Sequence, residues 1–195
     1  MKLMARYKDN YFDLAIVDPP YGISVQKQSK FGNKIDNKIW DNEVPKMEYF
    51  NELKRVSKNQ IIWGGNYFLD HLGKTRCFLI WDKENGTNDM ADAELAWTSF
   101  ETSVRIYKGH IFKGIGCTKY KPIHPTQKPV KLYEWILMKY AKEGDKILDT
   151  HLGSGSIALA CHNLGYDLTA CELDKEYYNA AIKRINEHKA QIRMF

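Results

Sequence analysis

Two acidic corners, far apart in the chain, hold the residue types best suited to chemistry. The first is Asp18-Pro19-Pro20-Tyr21, directly after the apolar run Phe12-Asp13-Leu14-Ala15-Ile16-Val17. Neither proline has an N–H to donate, and Pro20 keeps Pro19 out of helical space. The corner therefore offers a carboxylate, bare carbonyls and one aromatic ring, a set that can hold a flat base by its amino group. Standing alone, such a tetrapeptide is equally an edge-strand turn with a solvated Asp. The second corner is Asp149-Thr150-His151-Leu152-Gly153-Ser154-Gly155-Ser156, read as a strand end, a glycine turn and a helix start. Its glycines let the backbone approach a ligand, and a helix N-terminus favours an anionic group. Glu172 closes the next strand, where a Rossmann-type unit places an acid to accept ribose hydroxyls. The third glycine of a dinucleotide fingerprint is missing, which argues against a nicotinamide cofactor. A ligand with a ribose and a carboxylate but no required pyrophosphate fits, and S-adenosylmethionine is one, its amino-acid end on the turn and Asp149.

These corners need strands to present them. Short apolar runs at 12–17, 60–64, 77–81, 146–149 and 168–172 read as buried strands. Amphipathic helices are expected over about Lys46–Ser57, from Pro129 to about Lys142, over Ser154–Leu164 closed by Gly165, and over about Lys175–Lys189. The first is expected to bury Met47, Phe50, Leu53 and Val56. A short helix near Tyr67–His71 and a polar loop from Asp82 to Asp92 are expected as well. Leu95–Thr98 and Val104–Tyr107 read as a candidate hairpin. Strands alternating with helices imply an α/β fold, a doubly wound, mostly parallel sheet. Trp63 and Trp81 read as core. Trp40-Asp41-Asn42 and Gly64-Gly65-Asn66-Tyr67 could line a base pocket, but loop packing and a helix N-cap are the simpler readings.

The 195 residues, 44% hydrophobic and 27% charged, suit one domain spanning 1–195. No apolar run approaches a membrane span, and the start lacks a signal-peptide core, so a cytoplasmic location is expected. The four cysteines, Cys77, Cys117, Cys161 and Cys171, lack metal-ligand spacing and read mostly as buried free thiols. No metal is expected. Net charge is only +5, but no acid occurs from Thr102 to Tyr133, where Arg105, Lys108, Lys113, Lys119, Lys121, Lys128 and Lys131 fall. A one-signed stretch of this length fits a polyanion such as nucleic acid.

Taken together, the chain resembles the amino-group DNA methyltransferases, which methylate adenine N6 or cytosine N4. Asp18-Pro19-Pro20-Tyr21 is similar to their catalytic motif, and Asp149–Ser156 to their cofactor turn. His124-Pro125-Thr126-Gln127-Lys128-Pro129 resembles the segment that touches the cofactor's methionine end. The motif order, catalytic first and cofactor turn last, is that of the family's β group. The resemblance implies a Rossmann-like S-adenosylmethionine-dependent methyltransferase fold with permuted motifs and no clear edge strand after Glu172. It implies catalysis by Asp18, Pro19, Pro20 and Tyr21. Cofactor contacts are implied at Asp18, His124, Thr126, Gln127, Lys128, Asp149, Leu152, Gly153, Ser154, Gly155, Ser156, Glu172 and Asp174. Thr150 and His151 depart from the family's usual Pro and aromatic.

The implied substrate is duplex DNA with the target base flipped out, adenine N6 favoured by the leading Asp. Cytosine N4, RNA adenine methylation and a silent nucleic-acid binder are the alternatives. Without a separate recognition domain, residues 22–45 and 108–123 are the candidate DNA-contacting loops, through Lys27, Lys30, Lys34, Lys38, Lys108, Lys113, Lys119 and Lys121. A homodimer and a companion nuclease or recognition subunit are left open, and a bacterial or phage origin is expected.

Overall fold

The computed structural model describes residues 1–23, 43–85, 91–109, 123–124 and 126–191. A seven-stranded sheet runs in the order β5-β3-β4-β2-β1-β6-β7. Its strands are β1 (Phe12–Val17), β2 (Ser57–Trp63), β3 (Phe78–Asp82), β4 (Ala93–Thr98), β5 (Arg105–Lys108), β6 (Lys146–Asp149) and β7 (Asp167–Ala170). The helices are α1 (Met47–Val56), α2 (Leu69–Leu72), α3 (Val130–Tyr140), α4 (Ser156–Leu164) and α5 (Lys175–Ala190). β1 pairs in parallel with β2 on one side and β6 on the other, and β6 with β7. The chain thus leaves β1 in one direction and returns at β6 to travel in the other. That reversal opens a crevice between the carboxyl ends of β1 and β6.

Alternation along the central strands sorts side chains to two faces. Ile61, Trp63 and Ile147 pack with Leu132, Ile136, Ile157 and Ala181 from α3, α4 and α5. Ile62, Ala15, Val17 and Leu148 pack with Phe50, Leu53 and Val56 from α1 and Leu72 from α2. Helices therefore cover both faces, as the alternating pattern of the sequence implies. α1 passes directly into β2 at Ser57, whose hydroxyl donates to the Leu53 carbonyl at 2.6 Å. Tyr49 rather than Met47 shares the buried face of α1, because Met47 opens the helix and stays 40% exposed.

The expected hairpin of Leu95–Thr98 with Val104–Tyr107 does not form. β4 is antiparallel to both β2 and β3, and β5 lies in parallel beyond β3. Once β3 fills the place beside β4, the segment at 105–108 can pair only with the far side of β3. The one reversed strand has a consequence for chemistry. Its N-terminal end, with Glu94, sits opposite Trp81 at the edge where the other strands end. Beyond β7 the described residues contain no further strand, and Ile192–Phe195 lie outside them. Cys77 and Cys161 are buried thiols, and Cys171 is half-buried and free. Among the described residues no helix is long and apolar enough to cross a membrane.

Leu148 lies fully buried one residue before the second acidic corner. Leu148→Ala is expected to cost about 2–5 kcal/mol, read as a lower denaturant midpoint with an unchanged slope.

Candidate active site

The parallel registers Leu14↔Ile147 and Ala15↔Leu148 bring the ends of β1 and β6 to one edge of the sheet. A cavity of about 180 Å³ opens there, lined by Asp18–Tyr21 from the first corner and Thr150–Ser154 from the second. His124, Thr126, Gln127 and Lys128 form another wall, and Glu172, Leu173, Asp174 and Tyr177 close it. Residues more than a hundred positions apart thus share one space. Asp149, Gly155 and Ser156 do not line it.

At the first corner the Asp18 carboxylate is held on both oxygens. Tyr21 donates its hydroxyl to Oδ1 at 2.5 Å, and the Lys128 ammonium pairs with Oδ2. Burial pushes the Asp18 carboxyl up, the Lys128 charge opposes that, and the nearby Glu94 charge adds to it. Burial also works against the Lys128 charge, but Asp18 and Glu94 outweigh it and the net shift is upward. The Tyr21 ring stacks on Tyr67 at 5.0 Å with 16° between planes and meets Phe68 edge-on. Gly64 makes this possible. Its φ is +68°, and a Cβ there would lie 2.2 Å from Tyr21 Cε1. Gly64 does cap the short 3-10 turn Gly65–Tyr67, as the simpler reading of the sequence has it, and Gly64 and Tyr67 also build one side of the first corner.

At the second corner Gly153 and Gly155 both take positive φ, +50° and +73°. Gly155 caps the N-terminus of α4, and a Cβ there would press on Ile185 of α5 at 3.2 Å. Arg184 of α5 donates to the Ser154 carbonyl at 2.8 Å and the Ser156 hydroxyl at 3.0 Å, clamping the turn from behind. Glu172 receives the Gly153 N–H at 2.8 Å and the Asp174 N–H at 2.9 Å, so its carboxylate joins the turn to the next helix. Asp174 caps α5 through the N–H groups of Glu176 and Tyr177.

Asp149 lies behind the turn, 3% exposed, with the His151 N–H donating to its carboxylate. Burial, with the Asp18 and Glu172 charges adding, pushes its carboxyl up to about 8. Burial also holds the His151 imidazole down at about 4, so it is neutral at ordinary pH. Thr150 bonds to both His151 Nδ1 at 3.0 Å and Tyr49 of α1 at 2.7 Å.

The third segment is self-braced. His124 Nδ1 accepts from the Thr126 N–H, its carbonyl accepts from the Gln127 N–H, and its ring packs edge-on against Tyr177. Pro125 lies outside the described residues, as do Lys27, Lys30, Lys34, Lys38, Lys113, Lys119 and Lys121, and Trp40-Asp41-Asn42. Lys108 ends β5 with an exposed side chain 4.0 Å from Asp82. Residues missed by sequence reasoning are Glu94, Lys83, Tyr49, Tyr133 and Tyr177, none of which sits in a motif.

The cavity suits a cationic nucleoside. Asp18, Glu172 and Asp174 line it with only Lys128 as a cation among the described lining residues. Glu172 stands beside the glycine turn, where a ribose diol would find an acceptor.

A family model described as DNA methylase matches residues 74–183, which include the second corner and the His124–Pro129 segment but not Asp18–Tyr21. The type II methyltransferase M.HpaI of Haemophilus parainfluenzae is 24% identical over 226 aligned positions, 95% of this chain and 72% of that protein. M2.DpnII of Streptococcus pneumoniae is 28% identical over 165 positions, 85% of this chain and 56% of that protein. Among solved structures, the M1.HpyAVI–SAM complex superimposes with a TM-score of 0.60 at 24% identity, covering 94% of this chain and 92% of that one. The cytosine-N4-specific PvuII DNA methyltransferase gives 0.62 at 14% identity, covering 95% and 87%. These superpositions carry the fold.

Gly64→Ala should cost about 1–3 kcal/mol through left-handed strain and displacement of the Tyr21 ring, read by denaturant unfolding. An unchanged midpoint would contradict the packing of Gly64 on Tyr21. Asp149 takes up a proton on folding, because its folded value lies above its unfolded one. Cofactor-free protein therefore loses stability as pH climbs from about 4 to about 8. Asp149→Asn lacks this loss, so its stability margin over wild type should widen through that window and level off above it.

Proposed function

The chain belongs to the DNA methylase family, and on that premise we propose that it moves a methyl group from S-adenosylmethionine to the exocyclic amine of a base flipped out of duplex DNA, adenine N6 in the first instance. The observation that carries this reading is the single cavity lined by both acidic corners. S-adenosylmethionine supplies, when bound, a methyl group made electrophilic by its sulfonium. Glu172 would accept the ribose hydroxyls, and the Leu152–Ser154 turn, His124 and Thr126 would hold the amino-acid end. The neighbouring carboxylates favour a cationic ligand.

An exocyclic amine is a weak nucleophile because its lone pair is delocalised into the ring. Asp18 and the Pro19 carbonyl accept its N–H groups, which turns the lone pair out of conjugation and toward the methyl group. Asp18 has the capacity for this: each carboxylate oxygen carries two lone pairs, and Tyr21 and Lys128 use one on each. Transfer would then be direct and in line: the N–C bond forms as the sulfonium S–C bond breaks, sulfur keeps the electron pair as a neutral thioether, and the methylated nitrogen loses its surplus proton through the hydrogen bond to Asp18 and on to solvent. No covalent enzyme intermediate is needed, and the rate comes from positioning and preorganised charge. Extruding the base costs a few kcal/mol, which the Tyr21–Tyr67 stack offsets, with the half-exposed Tyr67 as its outer ring.

The described residues that flank the candidate DNA-contacting segments support this reading. Ile23 follows the first corner, Lys108 ends the parallel strand β5, and Ile123 leads back to His124 on the cavity wall. Lysines on these segments would grip phosphates and set register more than sequence. Cytosine N4 is the second reading, favoured by the likeness in fold to the PvuII enzyme. A chain of 195 residues aligned over 226 positions with M.HpaI has shorter segments than that relative, which leaves fewer residues for reading sequence.

Incubation with methyl-labelled S-adenosylmethionine and mixed-sequence duplex DNA, followed by nucleoside analysis, should give N6-methyladenine. N4-methylcytosine would transfer the assignment to cytosine, and label confined to competing RNA would overturn the DNA reading. Asp18→Asn should lower kcat by at least about 100-fold with cofactor Kd nearly unchanged, whereas Glu172→Ala should raise cofactor Kd by about tenfold.

A further inference from the structure

Behind Asp18 lies a row of alternating buried charges. Lys128, with its side chain 1% exposed, stands between Asp18 and Glu94, whose Oε2 is 3.1 Å from the ammonium. The other Glu94 oxygen is 2.8 Å from Lys83, itself 9% exposed. Trp63 and Trp81 turn ring faces to the two ammonium groups at 5.1 and 5.3 Å. Glu94 and Lys83 do not line the cavity, so neither reaches a ligand there.

Stability does not account for such a row. Buried ion pairs replaced by apolar groups of similar size are often neutral or more stable. Two tryptophans already fill this end of the sheet, and Glu94 arrives there only because β4 runs against its neighbours.

We infer that Glu94 is a positioning residue for methyl transfer, acting through Lys128 to set how firmly the ammonium holds the Asp18 carboxylate. This rests on Asp18 being the acceptor of the target amine. Two opposing demands meet at that carboxylate. Without a cation beside it, a buried Asp18 takes up a proton and can no longer accept both the amine and Tyr21. With a cation devoted to it alone, the carboxylate is held so strongly that an incoming amine competes poorly. Glu94 divides the Lys128 charge between two anions, and Lys83 keeps Glu94 ionised. Burial raises the Glu94 carboxyl, but Lys128 and Lys83 together outweigh it and leave it lowered.

The other groups facing Asp18 do not replace this arrangement. Tyr21 on its own segment, Tyr133 on α3 and Tyr49 on α1 all have phenols pushed up by burial and stay neutral. Asp149 on β6, its carboxyl raised by burial to about 8, is mostly protonated at neutral pH and offers Asp18 no cation.

The test measures kcat, KM for duplex DNA, cofactor Kd and the acidic limb of kcat/KM against pH in the full chain. Glu94→Gln removes an anion facing Asp18, so the acidic limb should move to lower pH while kcat falls about tenfold and cofactor Kd stays within about twofold. Lys128→Met removes the cation, and the limb should move to higher pH. The Glu94→Gln/Lys83→Met pair restores charge balance and serves as the folding control. It should show the same lowered kcat with wild-type unfolding behaviour. An unchanged kcat and limb in Glu94→Gln, a limb moved upward, or a parallel loss of cofactor affinity would each overturn the inference. If Asp18→Asn abolishes turnover while Glu94→Gln is silent, only the role of Glu94 fails. If Asp18→Asn retains turnover, the underlying reading of Asp18 fails with it.

Discussion

The pairing of Asp18 with Lys128 is the interaction on which the site depends. A carboxylate at the buried end of a central strand is costly unless a cation and a hydrogen-bond donor compensate it. Here the cation comes from a lysine 110 positions along the chain, and the donor is Tyr21, three residues on. That pair ties the first corner to the segment leading into α3, and α3 packs on the same sheet face as α4 and α5. The two acidic corners are thus joined by one charge contact as well as by neighbouring strands.

The second half is held rigid for a different reason. A turn with two left-handed glycines has little stiffness of its own. Arg184 and Ile185 of α5 press on it from behind, and Glu172 ties its first glycine to the start of α5. Glu172 therefore serves the apo fold and still keeps lone pairs for a ligand. Asp149 plays a less direct part than its place in the motif implies. Its carboxyl is buried behind the turn, bonded to the His151 N–H, and does not line the cavity.

Much of this was legible in the chain. Apolar runs closed by Pro or Gly marked the central strands, and helical spacing marked α1, α3, α4 and α5. Those signals are local, arising from the periods of strand and helix. The proline corner and the glycine turn were readable because their backbone chemistry leaves few residue choices. The pairing of β4 was not readable, since strand order is a competition between distant partners and any of three segments could lie beside β2. The same limit hid Glu94 and Lys83. An acid and a lysine in a polar stretch look solvated until the reversed strand buries them next to Lys128. Lys128 itself was read for its motif and its positive charge, and only packing directed that charge to Asp18.

The residues alone determined the fold class, the two acidic corners and the kind of ligand each can hold, because bare carbonyls, left-handed glycines and carboxylates carry their chemistry wherever they sit. Tertiary structure alone decided that the corners face one cavity, which groups share the Asp18 charge, and that one strand runs backward to deliver Glu94. Those are distances between remote segments, fixed by pairing and burial that no short stretch of sequence encodes.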